Sequence, residues 1–224
     1  MIQDGTVVRS RGFSSALATN TILQKTYALL AATLLFSGLT AGYAMTTNAL
    51  PLNPFITLAG YFGLLILTNV LRNSAWGIVS VFALTGFMCY TLGPIVNLYL
   101  HHMVNGPQLV FTALGGTGII FVALSAYALI SKKDFSFMSG FIMTGLIVAF
   151  LAGIASIFIH MPALSLAVSA AFIMLSSGVI LLQTGAIING GETNYISATI
   201  TLYVSLYNIF LSLLQLLGAF SSRD

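Results

Sequence analysis

The sequence predicts an all-α, polytopic membrane protein of seven transmembrane helices, and three observations carry that prediction. Charged residues make up 5% of the 224-residue chain, where an ordinary soluble domain carries about 25%. Hydrophobic residues reach 58% and the mean hydropathy is +1.02, so a soluble molecule of this size would have little polar surface to present to water. The third observation is where the charges stand: Asp4, Arg9, Arg11, Lys25, Arg72, Lys132, Lys133, Asp134, Glu192, Arg223 and Asp224. At about 20 residues per bilayer crossing, the charge-free stretches 26–71, 73–131 and 135–191 each hold two helices with a short turn, and 193–222 holds one.

The same figures exclude a disordered chain, a collagen-like fibre and a secreted disulfide scaffold. Seven basic residues and a net charge of +3 are too sparse for a nucleic-acid surface. Cys89 has no intrachain partner and reads as a small hydrophobe.

Residues 1–24 read as a polar tail, 25–220 as the helical bundle and 221–224 as a short closing tail. The tail is not a signal peptide, because the apolar run after Lys25 is longer than the core of such a peptide. Ser10 separates Arg9 from Arg11, which rules out a twin-arginine signal. The first helix is expected at 26–47. Pro51 and Pro54 mark the turn into the second, at 55–71. The third, at 75–99, contains Gly93-Pro94, which should kink it or end its regular part. Gly106-Pro107 precedes the fourth, at 109–130. The fifth spans 136–159. Pro162 opens the sixth, at 163–187, where its missing N–H is no loss, and Asn189-Gly190-Gly191 separates it from the seventh, at 195–219.

Seven crossings put the tail and the turns holding Arg72, Lys132, Lys133 and Glu192 on one side, with all Lys and Arg residues except Arg223. Basic loops favour the cytoplasm, so the N-terminus is expected inside, the C-terminus outside, and His101, His102 and His160 on the outer side. An even number of crossings would put both ends inside. Gly38 and Gly42 on the first helix, and Gly115, Gly116 and Gly118 on the fourth, read as small residues that let helix backbones approach in lipid.

The seventh helix is the most informative. Asn194, Ser197, Thr201, Ser205, Asn208, Ser212 and Gln215 follow spacings of 3, 4, 4, 3, 4 and 3, which makes one polar stripe on an α-helix. Lipid cannot satisfy these groups, so the stripe must face other helices or a wet cavity, and the helix belongs near the bundle centre. Tyr203 and Tyr207 form a neighbouring polar pair. On the sixth helix Ser165, Ser169, Ser176 and Gln183 share a side, and a short turn makes the two helices antiparallel neighbours. Their facing polar sides are either interhelical hydrogen bonds that fix packing or a path for water, protons or ions.

Arg72 at the inner end of the second helix is a topology anchor or a gate. Glu192 is a loop residue, the acid at the start of the seventh helix, or an ion ligand. Lys132-Lys133-Asp134 is a topological loop. Adjacent His101 and His102 point different ways on a helix and have no carboxylate near them, so no metal site is expected. There is no Ser-His-Asp, H-E-x-x-H, paired-carboxylate or phosphate-loop pattern, hence no catalytic residue and no cofactor.

Gly190-Gly191-Glu192-Thr193-Asn194-Tyr195-Ile196, followed by Leu202-Tyr203-Val204-Ser205-Leu206-Tyr207-Asn208-Ile209-Phe210, resembles the YccA-type branch of the Bax inhibitor family. Thr85-Gly86-Phe87, Leu92-Gly93-Pro94-Ile95, Lys132-Lys133-Asp134-Phe135-Ser136-Phe137 and the closing Ser222-Arg223-Asp224 extend the likeness over nearly the whole chain. The resemblance implies a seven-helix fold with the last helix surrounded by the other six. It implies association with FtsH, the ATP-dependent membrane protease, as substrate and modulator, with the tail as the handle for extraction. Other members are pH-sensitive calcium leaks that use an acidic pair on the sixth and seventh helices and a nearby arginine. Here the matching positions are Gln183 and Ser205, with Arg72 close to the arginine. Two carboxylates can share a proton and titrate near neutrality, which Gln and Ser cannot. The expectation is therefore a non-enzymatic membrane protein that modulates FtsH. The alternative is a weak calcium or proton path lined by Arg72, Gln183, Ser205 and Asn208, with Thr201, Ser212 and Gln215 completing the polar stripe.

Overall fold

A computed structural model describes residues 4–47, 49–103, 105–159 and 161–221, with side chains from Thr19 onward except at positions 102 and 157. Its elements in order are α1 (Asp4–Thr46), α2 (Pro54–Leu71), α3 (Trp76–His102), α4 (Gly106–Ser131), a 3-10 turn (Ser136–Met138), α5 (Ser139–Ile159), α6 (Pro162–Ile188) and α7 (Tyr195–Ser221). All seven helices are long and apolar enough to cross a membrane, the first over Thr19–Thr46. The protein is a multi-pass membrane protein.

The breakers act where the sequence places them. The Asn53 side chain accepts from the Phe55 N–H at 2.9 Å and Pro54 opens α2, a satisfied N-terminus with the proline where it costs no hydrogen bond. Lys132 takes a left-handed conformation (φ 50°) that stops α4, its N–H bonded to the Ala128 carbonyl. Asp134 Oδ1 then accepts the Ser136 N–H at 2.8 Å where the 3-10 turn begins. Hydrogen bonds from the backbone N–H and the hydroxyl of Ser136 hold its carboxyl below the ordinary aspartate range. Gly190 supplies the positive φ (76°) that reverses the chain after α6, and the N–H groups of Gly191 and Glu192 both reach the Ala186 carbonyl.

Two expectations change. Helix α1 does not begin near residue 26 but runs unbroken from Asp4; residues 4–25 contain no proline, and nothing in them stops a helix that the membrane span already nucleates. Of the two outcomes expected of Gly93-Pro94, an end to α3 is excluded, because the helix continues to His102. Proline removes one helical hydrogen bond, and Gly93 is held against α1, where a Cβ would lie 2.5 Å from that of Ala44 and 3.2 Å from the Ala41 carbonyl oxygen.

Helix α7 lies against α1, α3, α4 and α6. The six neighbours implied by the resemblance are not what these contacts describe: α2 packs on α3, and α5 on α6 and the 3-10 turn. Both flanking helices are apolar nearly all round, and α2 buries only Thr68, so lipid serves most of their surface. The largest fully buried side chains belong to the inner helices, among them Tyr203, Leu30, Leu84, Ile180, Ile196, Leu202 and Ile209.

The glycines correct a further reading. Gly38, Gly42, Gly115 and Gly118 have no neighbouring atom within 4 Å of a built Cβ, and only Gly116 touches another helix, at Leu213. The GxxxG face of α1 points away from the bundle. Close approach in this chain is made instead by glycines outside that motif, Gly93 between α1 and α3 among them.

Candidate functional site

The polar sides of α6 and α7 do meet, and their register is fixed at one end. The Ser169 hydroxyl donates to Gln215 Oε1 at 2.7 Å, and the Gln215 amide bonds Ser165 Oγ. For antiparallel helices rising about 1.5 Å per residue, that clamp places Ser176 level with Asn208 and Gln183 level with Thr201. Ser205 then stands a turn deeper than Gln183.

Gln183 and Ser205 therefore do not stand level with each other. Ser205 is buried, and its hydroxyl donates back to the Thr201 carbonyl at 2.8 Å; Thr201 does the same to Ser197 at 3.0 Å. Gln183 Nε2 reaches Glu192 Oε2 at 3.5 Å. The stripe is divided: Gln215 is held by Ser165 and Ser169 at one end, Gln183 by Glu192 at the other, and the hydroxyls of Thr201 and Ser205 are turned onto their own helix. Asn208 is half-buried and Ser212 buried in this middle section.

A second convergence lies at the end of the bundle that carries Arg72, Lys132, Lys133 and Glu192, called the basic end below. Asn194 is its hub. Its Oδ1 accepts from the N–H groups of Ile196 and Ser197, capping α7, while its Nδ2 donates to the Arg72 carbonyl at 3.1 Å and to Asn73 Oδ1 at 2.8 Å. Glu192 Oε1 accepts the Asn194 N–H at 2.8 Å, and Lys25 Nζ lies 5.7 Å from the centre of the Tyr195 ring. Arg72 joins this group through its backbone alone; its side chain is exposed and forms no ion pair among the described residues. Asn194→Ala removes both the cap and the tie between the two turns, and is expected to destabilise the protein by about 1–2 kcal/mol. Thermal unfolding in detergent measures this; Asn194→Asp, which keeps only the cap, should recover about half.

The third convergence was only half legible. Tyr203 Oη lies 2.6 Å from Ser37 Oγ, 3.1 Å from Cys89 Sγ, and donates to the Thr85 carbonyl at 3.2 Å. One side chain of α7 thus joins α1 and α3 in the interior of the bundle. The sequence marks Tyr203 as polar but reads Cys89 as an inert hydrophobe. The missing signal was on α1, where Thr26, Thr33 and Ser37 recur at helical spacing, all buried.

Nothing here is arranged to hold a metal: among the described residues no three His, Cys, Asp or Glu side chains come together. His101 is exposed, with Nδ1 3.0 Å from the Asn97 carbonyl. The side chain of His102 and all of His160 lie outside the described residues.

Comparison with known proteins matches residues 19–222 to the family described as "Inhibitor of apoptosis-promoting Bax1". The chain belongs to the Bax inhibitor family. Within it, this chain is 50% identical over 222 residues to the "Modulator of FtsH protease YccA" of Escherichia coli K12, covering 99% of this chain and 100% of the relative. The "Inner membrane protein YccA" of E. coli O6:H1 (strain CFT073) matches to the same extent. An uncharacterized protein of Pseudomonas aeruginosa is 53% identical over 204 residues, 91% of each chain. The two E. coli relatives are named as a modulator and as an inner membrane protein, not as enzymes.

Proposed function

We propose that this protein resides in the bacterial inner membrane, binds the FtsH protease complex there and modulates it, and is itself a substrate entered from its N-terminal segment. The observation that carries the proposal is end-to-end identity of 50% with a protein named as the FtsH modulator. The distribution of basic residues supports an orientation: Lys25, Arg72, Lys132 and Lys133 all stand at one end of the bundle, which by the positive-inside bias is cytoplasmic. FtsH would then meet the N-terminal segment on that side. Helix α1 offers it not a loose leash but a helical stretch, residues 4–18, that precedes the span and extends about 22 Å.

The rival reading, a calcium or proton leak through Arg72, Gln183, Ser205 and Asn208, finds less support. Gln183 is taken by Glu192 and Ser205 by its own helix, and an amide and a hydroxyl do not titrate near neutrality.

Co-purification and pulse-chase turnover with FtsH test the proposal. The full chain is expected to associate with the protease and be degraded, and a version lacking residues 2–20 to persist several-fold longer. Unchanged turnover of the truncated chain would overturn the role of the N-terminal segment. Failure of the full chain to associate would overturn the proposal as a whole. Calcium or proton flux in proteoliposomes, abolished by Gln183→Leu or Ser205→Leu, would favour the leak.

A further inference from the structure

Helix α5 stands at the edge of the bundle and is held on two of its faces. Ile142 packs onto α6 at Gly178, where a Cβ would lie 2.6 Å from its Cδ1, and Phe150 meets Phe62 of α2 edge-on, ring centres 5.7 Å apart. Residues 141, 145, 148 and 152 recur at helical spacing on a third face. With α6 that face forms a groove, a cavity of about 470 Å³. Small residues make up much of its lining, Gly145, Ala149 and Ala152 on α5 with Ala167 and Ala171 on α6, while the larger Phe141 and Met174 stand 71% and 69% exposed beside them. The one side-chain hydroxyl in the lining, that of Thr144, donates back to the Gly140 carbonyl at 2.9 Å. The groove is apolar.

Both helices are membrane spans, so the groove faces lipid or another protein, and its length decides between a lipid chain and a helix. Gly145 lies against Leu175 and Gly153 against Val168, which fixes the levels of the two helices. On that register the lining from Phe141 to Leu164 runs about 23 Å along the helices. One leaflet of the hydrocarbon core is about 15 Å deep, and on α5 the groove is centred near residue 146, the middle of the Ser136–Ser156 span. A lipid chain belongs to one leaflet and ends where the groove is still open. A spanning segment runs through, and in a bilayer with no barrel such a segment is a helix. The small residues let its backbone come close. A second copy of this chain does not fit with the same face, because two concave surfaces leave a void between them. With any other face it would make a heterologous contact, which builds rings or open chains.

We propose that the α5–α6 groove seats one transmembrane helix of the FtsH complex, docked through bulky apolar side chains. This site presupposes the FtsH association proposed above and places it within the membrane. Its affinity comes from close packing rather than from apolar burial, since lipid is as apolar as the groove. Helix α5 packs on α6 and the 3-10 turn, not on α1, so a helix docked here leaves the N-terminal segment free. Association and degradation then use different surfaces of the same protein.

Photo-cross-linking and co-purification of the full-length chain with FtsH test this. A benzoylphenylalanine in place of Met174 is expected to cross-link to a subunit of the FtsH complex; one in place of Ile119, a 72% exposed residue of α4, is not. Ala167 is an exposed residue of the groove, and Ala167→Trp fills it, which should lower the co-purified protease roughly tenfold. Elution and Tm of that variant should stay close to the parent. Ala171→Leu is the smaller obstruction and carries the test if tryptophan disturbs the fold, and Ile119→Trp should leave association unchanged. A parent chain that associates with FtsH while Ala167→Trp and Ala171→Leu do so equally well would overturn the groove and leave the proposed function standing. A parent chain that does not associate would overturn both. Adducts at position 174 with lipid alone or with a second copy of this chain, or no adduct, would overturn the helix as occupant.

Discussion

Gly93→Val should abolish the folded bundle or lower its stability by about 3 kcal/mol or more, while Gly38→Val and Gly42→Val leave it nearly unchanged. A built Cβ at Gly93 sits 2.5 Å from the Ala44 Cβ and 3.2 Å from the Ala41 carbonyl oxygen. Both obstacles are fixed to the α1 backbone, so no rotamer change relieves the clash and the two helices must move apart. Overpacking a tight core usually costs about 1–3 kcal/mol, occasionally more, and this site belongs to the upper end. Gly60 shows the contrast: a Cβ there meets only the ring of Phe87, which can turn, and Gly60→Ala should cost about 1 kcal/mol. Detergent-solubilised protein, followed by thermal unfolding and size exclusion, gives the answer. A Gly93→Val variant that elutes and melts like the parent would refute the close α1–α3 seam.

The second large effect is expected at Tyr203, which fills the middle of the bundle at 2% exposure. Tyr203→Ala removes a large side chain from between α1, α3 and α7 and should cost about 3–5 kcal/mol, the range for aromatic truncation in a packed interior. Tyr203→Phe keeps the ring and removes only the hydroxyl shared with Ser37, Cys89 and the Thr85 carbonyl. Interhelical hydrogen bonds in membranes average under about 1 kcal/mol, so the Phe variant should cost about 1 kcal/mol. Unfolding of the two variants under increasing SDS separates the effects. Equal losses would mean that the hydroxyl network, not the packing, holds the centre together.

What the sequence reveals about this molecule depends on how each feature is enforced. The spans were legible because a charge cannot remain in hydrocarbon cheaply, so Arg72, Lys132 and Glu192 mark turns almost by necessity. The turns were legible because Pro54, Pro162 and Gly190 each have one backbone use. Helix faces were harder. On α7 the polar stripe identified the inward side, since lipid penalises hydroxyls and amides. On α1 and α4 the glycines misled, because a small residue is as compatible with lipid as with a neighbour, and nothing in Gly38 or Gly42 says which it meets. The candidate site was legible in membership but not in pairing. Gln183 and Ser205 were recognised as positions of interest, yet their separation by a turn follows from the Ser169–Gln215 clamp, a contact between residues 46 apart in sequence. The coupling of Cys89 and Ser37 to Tyr203 was likewise invisible, because it joins three helices whose adjacency no local pattern encodes.

The unbroken course of α1 from Asp4 to Thr46 has a mechanical meaning. A flexible leader would absorb a pull as slack before any load reached the membrane. A continuous helix transmits tension directly, and the first elements to bear it are those that grip α1: the Thr26 carbonyl against Thr199, Ser37 against Tyr203, and Ala44 against Gly93. They lie in sequence along the rod, so force applied at the N-terminal end would load all three in shear rather than open them one by one. Shear loading resists rupture better than peeling does, and the bundle would yield abruptly, at a threshold, when the helix slides.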